Sequence, residues 1–380
     1  MKVLHLISGG DTGGAKPHVH SLVRSLSQHN VQVCLACFME GPFYQEALDL
    51  GLNVVLLKQA HRYDLSVLKA IVRMVRDGDY DILHAHGARA NFLVALVKGR
   101  LGVPCLTTVH SDYRLDFLGS LYKNLVYTTL NSLALRRFDY YVTVSEELRQ
   151  VLIGRGFATD RISVITNGID FDADLHLPPK SEVLAANGLA FGPDDLLVGT
   201  VGRLSRVKDY PTLLRAAAEV LTAQRRAHFL IVGDGEERAA LQSLAESLGI
   251  SRNVHFLGFH ANPHPLLNIL DVNVLTSISE GLPYALLEGA RLGLPTVSTR
   301  VGGVPHLITD DEKGRLFEVG DYHQLATHLL ALLGDQEMRR RLGANLRDYA
   351  RVNFSVERMA TRQLEIYNRI IEGDRSNENH

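Results

Sequence analysis

Hydrophobic positions along the chain fall into short β-rich runs separated by amphipathic helical runs. The runs "KVLHLI", "VQVCLACF", "LNVVLL", "YDILHAH", "PCLTTVH", "YYVTVS" and "RISVIT" predict strands in the first half. Between them lie helical patterns such as "LSVLKAIVRMVRDG" and "ANFLVALVKGRLG". Near-continuous apolar strands alternating with helices describe a parallel sheet covered on both faces. The polar, proline-containing stretch 167–183, "NGIDFDADLHLPPKSEV", breaks this rhythm and predicts an interdomain linker. The rhythm restarts with "LLVGTVG", "HFLIVG", "NVHFLG", "DVNVLTS" and "LPTVSTRV". The last periodic segment, "VERMATRQLEIYNRII" (356–371), precedes a polar tail. The expected division is residues 1–172, joined by a terminal helix over 356–372, and residues 173–355. Open parallel sheets bind ligands outside the carboxyl ends of their strands, so residues just after strands carry the chemistry.

Composition changes this picture little. With 380 residues, 46% of them hydrophobic and 22% charged, the chain is long enough for two domains with sizeable cores. A net charge of −2 carries no bulk signal for nucleic acid. No apolar run approaches the roughly 18 residues of a membrane span. The start "MKVLHLISGG" reads as a buried strand rather than a secretory signal. Together these place the chain in the cytoplasm, and the aromatic and basic stretch "YRLDFLGSLYKNLVYTTLNSLALRRF" (113–138) adds the expectation of peripheral contact at the inner membrane face. Cys34 and Cys37 lie three apart on a predicted strand, so they point to opposite faces and read as core residues rather than zinc ligands.

The candidate chemistry follows the strands. Gly9, Gly10, Gly13 and Gly14 after the first strand let the backbone approach a phosphate, yet "GGAKP" misses the P-loop pattern and its metal-binding hydroxyl. In "VGRLSRVKDYP", Arg203 and Lys208 lie beside a helix start, a good clamp for a diphosphate. "HAH" puts His84 and His86 on one strand face. With His110 as a third ligand they could hold zinc, but no carboxylate partner accompanies them, and the metal reading is set aside. His110 is read instead as a hydrogen-bonding or proton-handling group. "DFDAD" (170–174) lacks the glycine and distal glutamate of a calcium loop. In "SEGLPYALLEGA", Glu280 precedes a helix expected over Pro283–Arg291, and Glu288 lies within it. Two acceptor-only groups among small residues suit a ligand rich in hydroxyls.

Together, "GGDTGGA", "HAHG", "TTVH", "NGID", "VGRLSRVKDYPTLL", "IVGDGEE", "VHFLGF" and "EGLPYALLEGARLGLPTVSTRVGGVPHLI" resemble glycosyltransferase family four. The resemblance implies the GT-B fold: two Rossmann-like α/β domains facing a central cleft, with the final helix crossing back to the first domain. It implies a retaining transferase moving a sugar from a nucleotide donor, UDP-hexose first and GDP-mannose next, to a glycan or lipid-linked acceptor in polysaccharide biosynthesis, without metal or other cofactor. By the same resemblance Glu288 accepts from the nucleotide ribose. Glu280 holds hydroxyls of the donor sugar, with the amides of Gly281 and Leu282 nearby. Arg203 and Lys208 clamp the diphosphate, Gly13 and Gly14 approach it, and His110 lies beside the transferred sugar. Two positions depart from the family: Asp209 stands where glycine is common, and Pro283 lacks a backbone N–H. The alternatives are a sugar-nucleotide 2-epimerase of the same fold, a P-loop ATPase or non-catalytic nucleotide-binding protein, and a zinc hydrolase.

Overall fold

The computed structural model describes residues 1–10, 15–59, 61, 64–112 and 121–378. The chain forms two compact units, one of residues 1–168 with 356–380, the other of residues 169–355.

The first unit is built on a seven-stranded parallel sheet. Its strands are β1 (Lys2–Ile7), β2 (Gln32–Cys37), β3 (Val54–Leu56), β4 (Ile82–His86), β5 (Cys105–Val109), β6 (Tyr140–Thr143) and β7 (Ile162–Val164). Their order is β3-β2-β1-β4-β5-β6-β7. Chain order therefore reverses between the neighbours β1 and β4. Both faces are buried, which is why these strands read as continuous apolar runs. Leu4 and Leu6 pack on the face that carries Val67, Ile71 and Val75 of the helix Ser66–Gly78. Val3 and Ile7 pack on the other face, with Val19 and Leu22 of Ala15–Gln28 and with Met359, Tyr367 and Ile370 of the terminal helix Val356–Glu378. That last helix closes the first sheet although the whole second unit intervenes in sequence. Cys34 and Cys37 are buried on opposite faces, as their spacing requires, and they and Cys105 are free thiols.

The second unit is a six-stranded parallel sheet of β8 (Leu196–Val201), β9 (Ala227–Val232), β10 (Val254–Gly258), β11 (Val272–Leu275), β12 (Thr296–Thr299) and β13 (Arg315–Phe317), in the order β10-β9-β8-β11-β12-β13. Here the order reverses between β8 and β11. The strand pattern misses only β13, because three residues beginning with arginine carry no apolar run. The expected linker is shorter than read: a helix already starts at Lys180, and Ile169 donates its backbone N–H to the Phe354 carbonyl. Among the described residues no helix is long and apolar enough to cross a membrane.

Candidate functional site

In the second unit the candidate residues leave the carboxyl ends of β8 and β11, the two strands flanking the reversal of order. Such a switch point opens a crevice at the sheet edge. After β8 the chain passes Gly202 and Arg203 to a 3-10 turn, Arg206–Lys208. After β11 it runs through Ser277 to Glu280, then enters the helix Tyr284–Arg291. The backbone joins the two loops: Ile278 N–H donates to the Val207 carbonyl at 2.8 Å, and the Thr276 hydroxyl to the Lys208 carbonyl at 2.8 Å.

This brings Lys208 and Glu280 together. Lys208 Nζ lies 2.5 Å from Glu280 Oε1, and the Ser277 hydroxyl donates to the same oxygen at 2.6 Å. Both side chains are largely withdrawn from water, which strengthens a charge-assisted bond. Arg203 does not join them. It is exposed and pairs at the surface with Glu236, 3.0 Å away. Arg206, in the same loop, pairs with Glu237 at 3.4 Å.

Asp209 explains itself by conformation. Its φ of 46° is left-handed, which is why glycine suits this position; aspartate is among the few side chains that tolerate it. The carboxylate accepts from the Thr212 hydroxyl at 2.7 Å at the start of the helix Tyr210–Ala223. Pro283 is the residue before the helix Tyr284–Arg291, with extended backbone, so its missing N–H falls where the helix has no use for one. Gly281 and Leu282 are buried beneath the neighbouring loop, whose Gly303 N–H donates to the Gly281 carbonyl at 2.6 Å. A Cβ on Gly302 would stand 1.9 Å from the Glu280 carbonyl oxygen. The glycines of "VGGVP" thus let this loop lie directly on the loop that carries Glu280.

Glu288 sits one turn inside its helix. Arg291, three residues on in the same helix, turns elsewhere. Its guanidinium donates to His264 Nε2 at 2.7 Å and to the Asp170 carbonyl at 2.8 Å. His264, held down to about 4 by burial and by Arg291, is neutral, and its Nε2 lies 3.7 Å from Glu288 Oε1. Burial raises Glu288 to about 7, and the Arg291 charge offsets this only in part. The result is a carboxyl group whose acceptor capacity is not consumed by a close cation.

In the first unit the half-buried His110 follows β5 and adjoins a group of buried imidazoles. His84 and His86 do share a strand face, with ring centroids 4.2 Å apart. Their close third neighbour is His5 on β1 rather than His110: the ligand atoms of His5, His84 and His86 lie within 4.8 Å of one another. His110 stands 5.9 Å from His86 and 4.8 Å from His18, centroid to centroid. Burial lowers His5 to about 3 and His18 to about 4, and holds His84, His86 and His110 well below the usual imidazole range, so all five are neutral. His5, His18 and Tyr367 were missed in the sequence. The only trace was a histidine in the middle of the apolar run "KVLHLI". Gly13 and Gly14 lie outside the described residues.

Comparison with known proteins gives this arrangement its family. The model described as "Glycosyltransferase Family 4" matches residues 12–173, and "Glycosyl transferases group 1" matches residues 186–349. N-acetyl-α-D-glucosaminyl L-malate synthase of Bacillus anthracis is 28% identical over 86% of this chain and 85% of its own length. UDP-Gal:α-D-GlcNAc-diphosphoundecaprenol α-1,3-galactosyltransferase of Escherichia coli is 26% identical over 75% of this chain and 73% of its own. Among solved structures, the Anabaena protein HepE in complex with UDP-glucose superposes with a TM-score of 0.81 at 22% identity, covering 97% of this chain and 99% of the other. The two family models between them match most of both units, and the chain belongs to the family four, group 1 glycosyltransferases of the GT-B fold.

Proposed function

We propose that this glycosyltransferase takes its sugar from a nucleoside diphosphate, UDP-hexose first and GDP-mannose next, and transfers it with retention to a glycan or lipid-linked acceptor of the cell envelope. The observation that carries the reading is the Lys208–Glu280 pair at the switch point of the second sheet, with the partly neutral Glu288 on the helix that follows. A cation there meets the diphosphate, and the two acids meet the two sugars. Glu288 accepts from the ribose hydroxyls and Glu280 from those of the donor sugar. Arg203 supplies the second cation once it leaves its exposed contact with Glu236, which surface ion pairs give up at little cost. The nucleotide-bound Anabaena structure and the UDP-galactose-using Escherichia coli relative support a uridine donor.

In the reaction the bond between the anomeric carbon and the diphosphate oxygen breaks. The acceptor hydroxyl forms its bond on the same face, and its proton passes to the departing diphosphate. Negative charge grows on the leaving group, where Lys208, Arg203 and helix N-termini stabilise it. The neutral His110 is suited to a hydrogen bond with the transferred sugar. No divalent ion is assigned a part. Peripheral membrane contact is part of the same proposal. Of the aromatic and basic segment 113–138, the side chains of Tyr113, Arg114, Phe117, Tyr122, Lys123 and Tyr127 lie outside those described. Leu130 and Leu133 on Leu121–Leu135, and Phe92 and Leu96 on the adjoining Gly87–Val97, are exposed. Flotation with anionic liposomes at low salt tests that part, and a protein that stays at the bottom removes it.

The deciding experiment is a panel of nucleotide sugars given to the purified protein, scored by release of nucleoside diphosphate with and without excess EDTA. The proposal predicts hydrolysis or transfer with a UDP-hexose or GDP-mannose at an unchanged rate in EDTA. Turnover by none of the panel would refute it, and a rate lost in EDTA and restored by Mn²⁺ would refute its metal independence.

A further inference from the structure

His84, His5 and His86 of the first unit form one continuous hydrogen-bonded chain that runs through Tyr367 of the terminal helix. His84 Nε2 lies 2.7 Å from Thr108 Oγ1, and His84 Nδ1 lies 2.6 Å from the Tyr367 hydroxyl. That hydroxyl lies 3.1 Å from His5 Nε2, and His5 Nδ1 lies 3.0 Å from His86 Nε2. The alignment follows from register. His5 pairs with His84 across β1 and β4, and His86 with Thr108 across β4 and β5, all on the face that Tyr367 covers. The chain stops at His86 Nδ1, a buried nitrogen with no partner among the described residues. His86 itself is 1% exposed. Beside it His18 Nε2 and His110 Nε2 are in the same condition. Leaving one buried polar group unpaired costs about 1–3 kcal/mol, so three at one place point to a ligand that supplies hydroxyls.

With every ring neutral, the chain has two self-consistent arrangements. In one, Tyr367 donates to His84 and His84 to Thr108, while His5 donates to Tyr367 and His86 donates to His5. His86 Nδ1 then offers a lone pair. In the other, every donor and acceptor is reversed: Thr108 donates to His84, His84 to Tyr367, Tyr367 to His5, and His5 to His86. His86 Nδ1 then carries the proton. Tyr367 has one proton and two imidazole neighbours, so it decides which arrangement holds. His18 is fixed by contrast, since its Nδ1 faces the Asn167 side-chain oxygen at 3.0 Å and must donate.

We propose that His86 Nδ1 contacts a hydroxyl of the sugar substrate and that Tyr367, acting through His5, is the positioning residue that sets whether His86 accepts from or donates to it. The proposal rests on the glycosyl-transfer reading for the identity of the ligand, while the coupling within the chain stands apart from it. A metal on His5, His84 and His86 fits less well, because both ring nitrogens of His5 and His84 are already engaged.

The test uses full-length protein labelled with ¹⁵N-histidine. Without ligand, His86→Gln is expected to move the His84 ring-nitrogen resonances further in protein that keeps Tyr367 than once Tyr367→Phe is also present, where only the direct effect of the ring 4.2 Å away remains. If Tyr367→Phe does not fold, Thr108→Val cuts the chain at its other end: it should move the His86 resonances. Unmoved resonances in either experiment, or equal movement with and without Tyr367, would overturn the coupling. UDP-glucose should then move the His86 resonances, and Tyr367→Phe should lower kcat at least tenfold with the donor KM within about twofold. Binding of UDP-glucose that leaves His86 untouched would overturn the contact. If no nucleotide sugar binds, the functional reading fails and the contact with it, while the ligand-free spectra still decide the coupling. One equivalent of zinc that moves all three histidines and raises Tm in a His86-dependent way would make the cluster a metal site and overturn the proposal.

Discussion

Glu288, proposed to hold the nucleotide ribose, is a side chain whose burial costs stability at neutral pH. Its folded pKa, about 7, lies above the ordinary 4.5 because burial disfavours the charged form. A raised pKa contributes stability that is fully present below the unfolded value and is lost as pH rises through the folded one. The second unit should therefore lose up to about 3 kcal/mol between pH 4.5 and pH 7.5 through this residue alone. Glu288→Gln should flatten that part of the curve, as melting of both proteins across this range will show; parallel curves would contradict it. Ligand binding runs the opposite way. On the proposed function ribose hydroxyls donate to the ionised carboxylate, so nucleotide affinity should rise with pH through about 7 in the native protein and stay level in the variant. The residue scale was also the hardest to read from sequence. Glu280 and Glu288 stood out because acids among small apolar neighbours are unusual. Their surroundings did not, since Lys208 lies 72 positions from Glu280 and His264 lies 24 before Glu288.

At the scale of elements, the loops that carry the candidate residues are held by glycines at backbone crossings. Gly302 has a left-handed φ of 49° and would place a Cβ 1.9 Å from the Glu280 carbonyl oxygen. Gly249 also has a left-handed φ, 70°, but nothing within 4 Å. Gly249→Ala should cost only the conformational penalty, about 1–2 kcal/mol, with transfer unchanged. Gly302→Ala must in addition push the Glu280 loop aside, so it should melt lower and lose most of its transfer activity. Thermal melting and rates for the pair check this; equal behaviour would show that the crossing does not position Glu280. The same crossing recurs where a Cβ on Gly233 would meet the Gly202 carbonyl at 1.9 Å. These contacts join "VGRL" to "IVGDG" and "EGLP" to "VGGVP", which is why the motifs were visible as motifs while their contacts were not. Strands were legible because burial on both faces leaves continuous apolar runs. β13 was not, because Arg315–Phe317 is short and begins with a charge.

At the scale of the whole molecule, the imidazoles of the first unit respond to pH with the opposite sign to Glu288 of the second. In the first unit, four buried imidazoles and the half-buried His110 have folded pKa values below the ordinary 6.5 because of desolvation, with His5 near 3 and His18 near 4. For a base held neutral, stability is fully present above pH 6.5 and falls as pH drops below it. Acidification from pH 6.5 to 4 should open the first unit before the second, read by amide exchange; simultaneous opening would contradict this. The role of the terminal helix in that unit was only half legible. Its amphipathic pattern predicted a helix, and the family resemblance its return to the first sheet, but nothing in sequence placed Tyr367 against His84, 283 positions away. The central claim is that a nucleotide sugar is held by two acids with separate tasks, and calorimetric titration of UDP and UDP-glucose into Glu280→Gln and Glu288→Gln tests it most directly. Glu288→Gln should weaken both ligands by roughly ten- to a hundredfold, the worth of a charge-assisted hydrogen bond. Glu280→Gln should keep or tighten UDP binding, because Lys208 is released from its partner, while losing the advantage that the sugar confers. Equal losses of UDP affinity in the two variants would contradict the account.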